Sequence, residues 1–128
     1  MLKQAVVMAT LLATAGMGCA TAQTPAAPAA VAETGKGKAL VDAKGMTLYT
    51  FDKDAAGKSA CNGPCAQSWP PLMATSVSGP ANWTAVTRDD GAKQWAYMGK
   101  PLYTWAKDTK AGDATGDGFN NVWHIARP

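Results

Sequence analysis

The sequence is most informative at first through what it lacks. It carries one histidine, His124, in 128 residues, and only three cysteines and two phenylalanines. It contains no G-x-S-x-G, no H-E-x-x-H and no phosphate-binding glycine loop. The C-x-x-C redox spacing is missing, and so is the C-x-x-C-H haem attachment. No catalytic residue or cofactor is expected from these motifs, so the chain reads as a non-enzymatic protein. Charge is scarce as well: 16% of residues are charged, and the net charge is +3. The basic residues are not clustered, which excludes a nucleic-acid footprint.

Long apolar runs are also missing. The uncharged stretch from Ala5 to Gly18 is too short for a membrane span, which needs roughly 20 apolar residues. It follows Met1-Leu2-Lys3 and fits the apolar core of an export signal over residues 1–22. Ala20-Thr21-Ala22 is an A-x-A cleavage site that would leave Gln23 first. The alternative is processing at Cys19 with lipidation there, although Gly16-Met17-Gly18 lacks the usual branched aliphatic residue. The expected location is periplasmic or secreted, or lipid-anchored to the outer membrane through Cys19. Membrane contact is expected only with that anchor. Residues 23–35 are rich in Ala and Pro and read as a disordered tether. This leaves residues 36–128 for the folded domain.

What the domain has is aromatics, glycines and a duplication. Five Trp and three Tyr serve a compact core or a binding surface. Residues 45–54 read GMTLYTFDKD and residues 99–108 read GKPLYTWAKD. Gly, Leu, Tyr, Thr, Lys and Asp are identical, and Phe51 is exchanged for Trp105. The offset of 54 residues also relates Gly37 to Gly91 and Trp69 to Trp123.

Around these copies the pattern predicts strands. Residues 39–43 and 46–51 read as a hairpin, and residues 94–98 and 101–105 repeat it. Residues 83–87 and 122–126 supply two more strands. Tyr49 and Phe51 share one face while Leu48 and Thr50 share the other, so the strand should be covered on both sides. Pro64 suits a first helical position, and Pro70-Pro71 ends a short helix over Pro64–Trp69. The expected fold is mostly β, a small antiparallel domain of six to eight strands built from two pseudo-repeats of about 54 residues.

Each copy ends in Tyr-x4-Asp: Tyr49 with Asp54, and Tyr103 with Asp108. The structural reading is that Tyr fills the core and Asp ties down the following loop. The functional reading is a pair of equivalent sites with an aromatic wall and a carboxylate. These residues resemble the bacterial secreted-repeat family with a Y-x4-D motif, also described as predicted lipoproteins with a Yx(F/W/Y)xxD motif. Residues 61–71 and 118–124 are similar to that family too. The resemblance implies export and a repeat architecture, and it supplies no catalytic residues.

After export, Cys61 and Cys65 form the default disulfide of an oxidising compartment. The rival is a Cu(I) thiolate site completed by Met46, Met73, Met98 or His124. Two acidic loops invite a calcium reading. Asp52-Lys53-Asp54-Ala55-Ala56-Gly57 has Gly63 where the bidentate Glu is required, and residues 113–121 offer oxygen ligands without a recognised register. Together these features read as an exported binding or interaction module for an unknown envelope partner or small ligand. The alternative is a periplasmic copper-handling protein. Individual chemistry is expected where the copies differ: the Cys61–Cys65 turn, and residues 113–121 with His124.

Overall fold

The computed structural model describes residues 27–76 and 79–128. The export signal, its cleavage site and Cys19 lie outside the described residues. Among the described residues, seven strands, one short α-helix and a 3-10 turn at Phe119–Asn121 follow in order. The strands and the α-helix are β1 (Ala30–Thr34), β2 (Gly37–Val41), β3 (Tyr49–Phe51), α1 (Pro64–Ser68), β4 (Trp83–Thr87), β5 (Lys93–Tyr97), β6 (Lys100–Pro101) and β7 (Trp123–Ile125). All strand pairs are antiparallel.

The tether reading fails for its last residues. Ala30–Thr34 is a strand, paired with β2 from Ala30↔Val41 to Thr34↔Gly37. Its side chains are exposed or half-buried, so burial gives it little pattern. Backbone bonds and the turn hold it instead: Thr34 Oγ1 donates to the Gly37 carbonyl at 2.7 Å. The predicted first hairpin is correspondingly shifted. β2 pairs chiefly with β1, while residues 46–51 meet residues 39–43 through the Val41↔Thr47 bridge, the Asp42 N–H to the Met46 carbonyl and the Leu48 N–H to the Leu40 carbonyl.

The two copies follow one plan. Each has a hairpin (β1–β2, β4–β5), a motif strand, a short helical turn and a closing strand. The closing strands are exchanged. β7, from the second copy, pairs with β3 of the first: Tyr49↔Ile125, Thr50↔His124 and Phe51↔Trp123. Residues 70–72, from the first copy, pair with the second through the Pro71↔Tyr103 bridge, Thr104 N–H to the Pro70 carbonyl and Leu72 N–H to the Leu102 carbonyl. Between them Tyr49 and Tyr103 exchange both backbone bonds, at 2.7 and 3.0 Å. This pair marks a pseudo-two-fold axis.

Each half also closes on itself in a ring of three backbone bonds. Leu48 N–H donates to Leu40, Leu40 to Ala126, and Ala126 to Leu48, at 2.8–2.9 Å. Leu102 donates to Trp95, Trp95 to Leu72, and Leu72 to Leu102, at 2.8–3.0 Å. Both rings need a residue from the other copy's closing strand.

The motif strands are covered on both faces, as the alternation predicts. One core gathers Tyr49, Tyr103, Trp69, Trp105, Trp123 and Ile125. The other gathers Leu40, Leu48, Leu102, Trp83, Trp95 and Ala126. The predicted helix is present as α1, with Pro64 in its first turn and Trp69 as its C-cap.

Candidate functional site

The Tyr-x4-Asp motifs are joined across the copies. Tyr49 donates to Asp108 Oδ2 at 2.6 Å, and Tyr103 donates to Asp54 Oδ2 at 2.7 Å. Each tyrosine is fully buried and serves the other copy's carboxylate. Burial, reinforced by the bonded carboxylate, pushes both phenols far above their usual range, so both remain donors. The remaining carboxylate oxygens tie down loops. Asp54 Oδ1 accepts from Ala60 N–H at 2.6 Å, and Asp108 Oδ1 accepts from the Thr115 N–H and hydroxyl at 3.0 and 2.6 Å. Desolvation raises the Asp54 carboxyl above its usual range, against the pull of its bonds from Ala60 and Tyr103.

The two pairs have different surroundings. Tyr49 accepts from Gly116 N–H at 3.2 Å. Glycine is required at 116 because a Cβ there would lie 2.6 Å from the Trp69 ring. Tyr103 instead accepts from Ser59 at 2.6 Å, and Ser59 accepts from Arg88 at 3.0 Å. Arg88 is 4% exposed, and neutral acceptors surround its guanidinium: Gln94 at 2.7 Å, the Cys61 carbonyl at 2.6 Å and Asn62 at 3.3 Å. It thereby clamps the cysteine turn against the core.

Around the axis the rings form a column. Phe51 stacks on Trp123 at 4.2 Å, Trp123 on Trp69 at 3.8 Å, and Trp69 on Trp105 at 3.9 Å. Tyr49 meets Trp69 edge-on at 5.3 Å, and Tyr103 meets Trp123 edge-on at 5.1 Å. Such pairs contribute about 0.5–1.5 kcal/mol each beyond the area they bury. Every motif residue singled out in the sequence (Tyr49, Phe51, Asp54, Tyr103, Trp105, Asp108, Trp69 and Trp123) therefore belongs to one closure.

Cys61 and Cys65 form the expected disulfide, with S–S 2.03 Å and Cα–Cα 5.2 Å. This bond occupies both sulfurs that the copper reading requires as thiolates. Nor does Met73 share a groove with Met98 and His124. Met98 and His124 line one groove, and Met73 lines another with Leu72 and Trp95. The calcium reading of residues 113–121 meets a different arrangement. Asp113 Oδ2 accepts from Thr109 and Lys110 N–H, Asp117 Oδ1 accepts from Ile125 N–H, and no group of three His, Cys, Asp or Glu is placed to hold a metal among the described residues.

A concavity of about 560 Å3 lies where the copies part company. His124 Nε2 lies 2.8 Å from Asp52 Oδ2, and both side chains are about half exposed. Lys100, Asp117 and Arg127 add charges of both signs, and Tyr97, Leu102 and Ile125 add apolar wall. Met98 projects beside them, 65% exposed, from a turn in which its φ is +52°. That backbone is uncommon for a residue that is neither Gly nor Asn. At the matching positions the other copy carries Ala106 and Pro70. The backbone is equivalent there: Asp52 N–H donates to Val122 at 2.7 Å, and Ala106 N–H donates to Ser68 at 2.8 Å. Sequence reasoning named His124 but missed Asp52 as its partner, and it missed Arg88 altogether. Pairing of β3 with β7 brings the first two together, and no short-range spacing announces it.

With this geometry in hand, the comparisons with known proteins are specific. The family model described as a secreted repeat of unknown function (Lipoprotein_15) matches twice, at residues 30–73 and 84–127. The two matched segments start 54 residues apart, which is the offset of the internal repeat. No curated protein and no solved structure matches the chain.

Proposed function

The chain belongs to this secreted-repeat family, and we propose that it is an exported, non-enzymatic binding module of the cell envelope. The ligand would occupy the groove beside Asp52 and His124. One observation carries this reading: the duplicated scaffold keeps its backbone at both equivalent places, yet only one is equipped with a histidine, a carboxylate and neighbouring cations. A site that lost its symmetry while the fold kept it points to a requirement other than folding. The mixture of Lys100 and Arg127 with Asp52 and Asp117 suits a small ligand bearing both charges, such as a short zwitterionic peptide. The exposed Met98 supplies an adaptable apolar contact.

The reading includes a periplasmic or secreted location, with lipidation of Cys19 as the alternative form. Metabolic labelling with a fatty acid, on the wild type and on Cys19→Ser, separates the two. The binding claim is tested by titrating the mature domain with zwitterionic di- and tripeptides while following backbone amide resonances. Saturable shifts at Thr50, Asp52, Met98 and His124 that vanish in His124→Ala support it. Shifts that are absent, or that persist unchanged in the variant, contradict it.

A further inference from the structure

Each copy of the repeat is closed by the other. Both Tyr–Asp bonds, both three-bond rings and the Tyr49–Tyr103 backbone pair cross from one copy to the other. Leu48, Tyr49, Leu102 and Tyr103 at this seam are each 0% exposed. The closing strand of the first copy goes furthest over. Beyond residues 70–72, Met73 bridges to Gln94, and Ala74 N–H donates to the Lys93 carbonyl at 3.0 Å, so the strand continues along β5.

The chain passes from this strand to the hairpin of the second copy through residues 75–82. None of the seam bonds named above uses those residues. Fully extended, a connection of that length spans roughly 26 Å, enough to reach a domain lying alongside. The Asp52–His124 groove is divided in the same way as the cores. Thr50 and Asp52 come from the first copy, and Met98, Lys100 and His124 come from the second.

We propose that a second copy of this chain is a partner for either half. Two chains exchange copies, so that the first copy of each closes on the second copy of the other. The product is a dimer with two complete domains and two grooves, each with Asp52 from one chain and His124 from the other. The seam contacts are the same in the exchanged and the closed chain, so concentration sets the balance between them. A short flexible connection gives the two halves of one chain an effective concentration of about millimolar, and exchange competes when chains fold at that concentration. Return to monomers requires the domains to unfold, so the dimer persists on dilution. The exchange stands on the seam alone. That the shared groove takes a ligand rests on the function proposed above.

The first test refolds the wild-type mature domain from denaturant at about 1 mM, near the effective concentration, and at a roughly hundredfold lower one. Sedimentation should show a dimer fraction in the concentrated sample only, with the near-ultraviolet circular dichroism of the monomer. Monomer alone in both samples overturns the proposal. The second test shows that a dimer is an exchanged one. One chain carries Leu48→Asp with Tyr49→Asp, which removes the closure of its first copy. The other carries Leu102→Asp with Tyr103→Asp, which does the same to its second copy. Each alone should lack a melting transition, and an equimolar mixture refolded together should regain one as a dimer. A mixture that regains no transition overturns the proposal. The shared groove is read on His124 of the first of these chains, isotopically labelled. Asp52→Asn added to the unlabelled chain should move its imidazole resonances, and the same substitution added to the labelled chain should not. The reverse pattern overturns the exchange.

Discussion

The two copies share a backbone plan but differ in what surrounds each Tyr–Asp pair. In the first copy the cysteine turn is fixed by a disulfide and by the Arg88 clamp. In the second, Thr115 and Phe119 stand where Cys61 and Cys65 stand in the first. Thr115 bonds Asp108 directly, and Phe119 covers Trp69 and Trp105. One loop is therefore held covalently and the other by hydrogen bonds and a ring. The shared residues close the fold across the axis, so neither copy owns a complete core. The unshared residues, Asp52 with His124 above all, are free to distinguish one face from the other.

The largest effect should come from separating the copies. Residues 27–76 and 79–128 produced alone should each lack stable structure, because both backbone rings and both Tyr–Asp bonds span the copies. Mixed, they should recover the near-ultraviolet circular dichroism of the intact domain. A folded single fragment would break the comparison.

Next comes the column. Trp69→Ala and Trp123→Ala should each cost about 3–5 kcal/mol in denaturant unfolding. The costs should be similar, since each ring stacks on the other and meets one tyrosine edge-on. A much smaller loss at Trp123 would show that the second copy contributes less to closure.

Removing the disulfide with Cys61→Ser and Cys65→Ser should cost less, at or below about 2 kcal/mol, because the closed loop is short. The Arg88 bonds to the same turn should keep it in place. Unfolding of the double variant would show instead that the covalent bond is the main restraint on the first loop.

The smallest effect is a difference of sign with pH. Asp54 is raised by desolvation above the ordinary carboxyl value of 3.8. Its contribution to stability is full below 3.8 and is lost as pH rises through its raised folded value. Asp113 is lowered, first by its bond from Thr109 N–H. Its contribution is present above 3.8 and is lost as pH falls through its lowered folded value. Unfolding of Asp54→Asn and Asp113→Asn against pH should therefore show opposite slopes relative to wild type. Slopes of the same sign would remove this distinction.

Much of the scaffold was legible in the sequence. Alternation of Tyr49 and Phe51 against Leu48 separated the two cores. Pro64 with Pro70-Pro71 located α1, and the cysteines located the disulfide. β1 was missed because Ala30–Thr34 has no buried face to mark it. The repeat held the missing signal, since the predicted strand at residues 83–87 maps onto residues 29–33. The partners of the motif were not legible. Tyr49 lies five residues before Asp54, which invites a local pairing, whereas the fold joins it to Asp108, 59 residues away. Arg88 escaped because a lone arginine after a strand reads as surface until the cysteine turn folds over it.

The central claim is that the motif works between copies and not within one. The direct measurement is a pair of double-mutant cycles in denaturant unfolding. One combines Tyr49→Phe with Asp108→Asn, and the other combines Tyr49→Phe with Asp54→Asn. The first should show a coupling of about 0.5–3 kcal/mol, as directly bonded residues do. The second should be additive to within about 0.5 kcal/mol. Coupling between Tyr49 and Asp54 with additivity between Tyr49 and Asp108 would contradict the exchange.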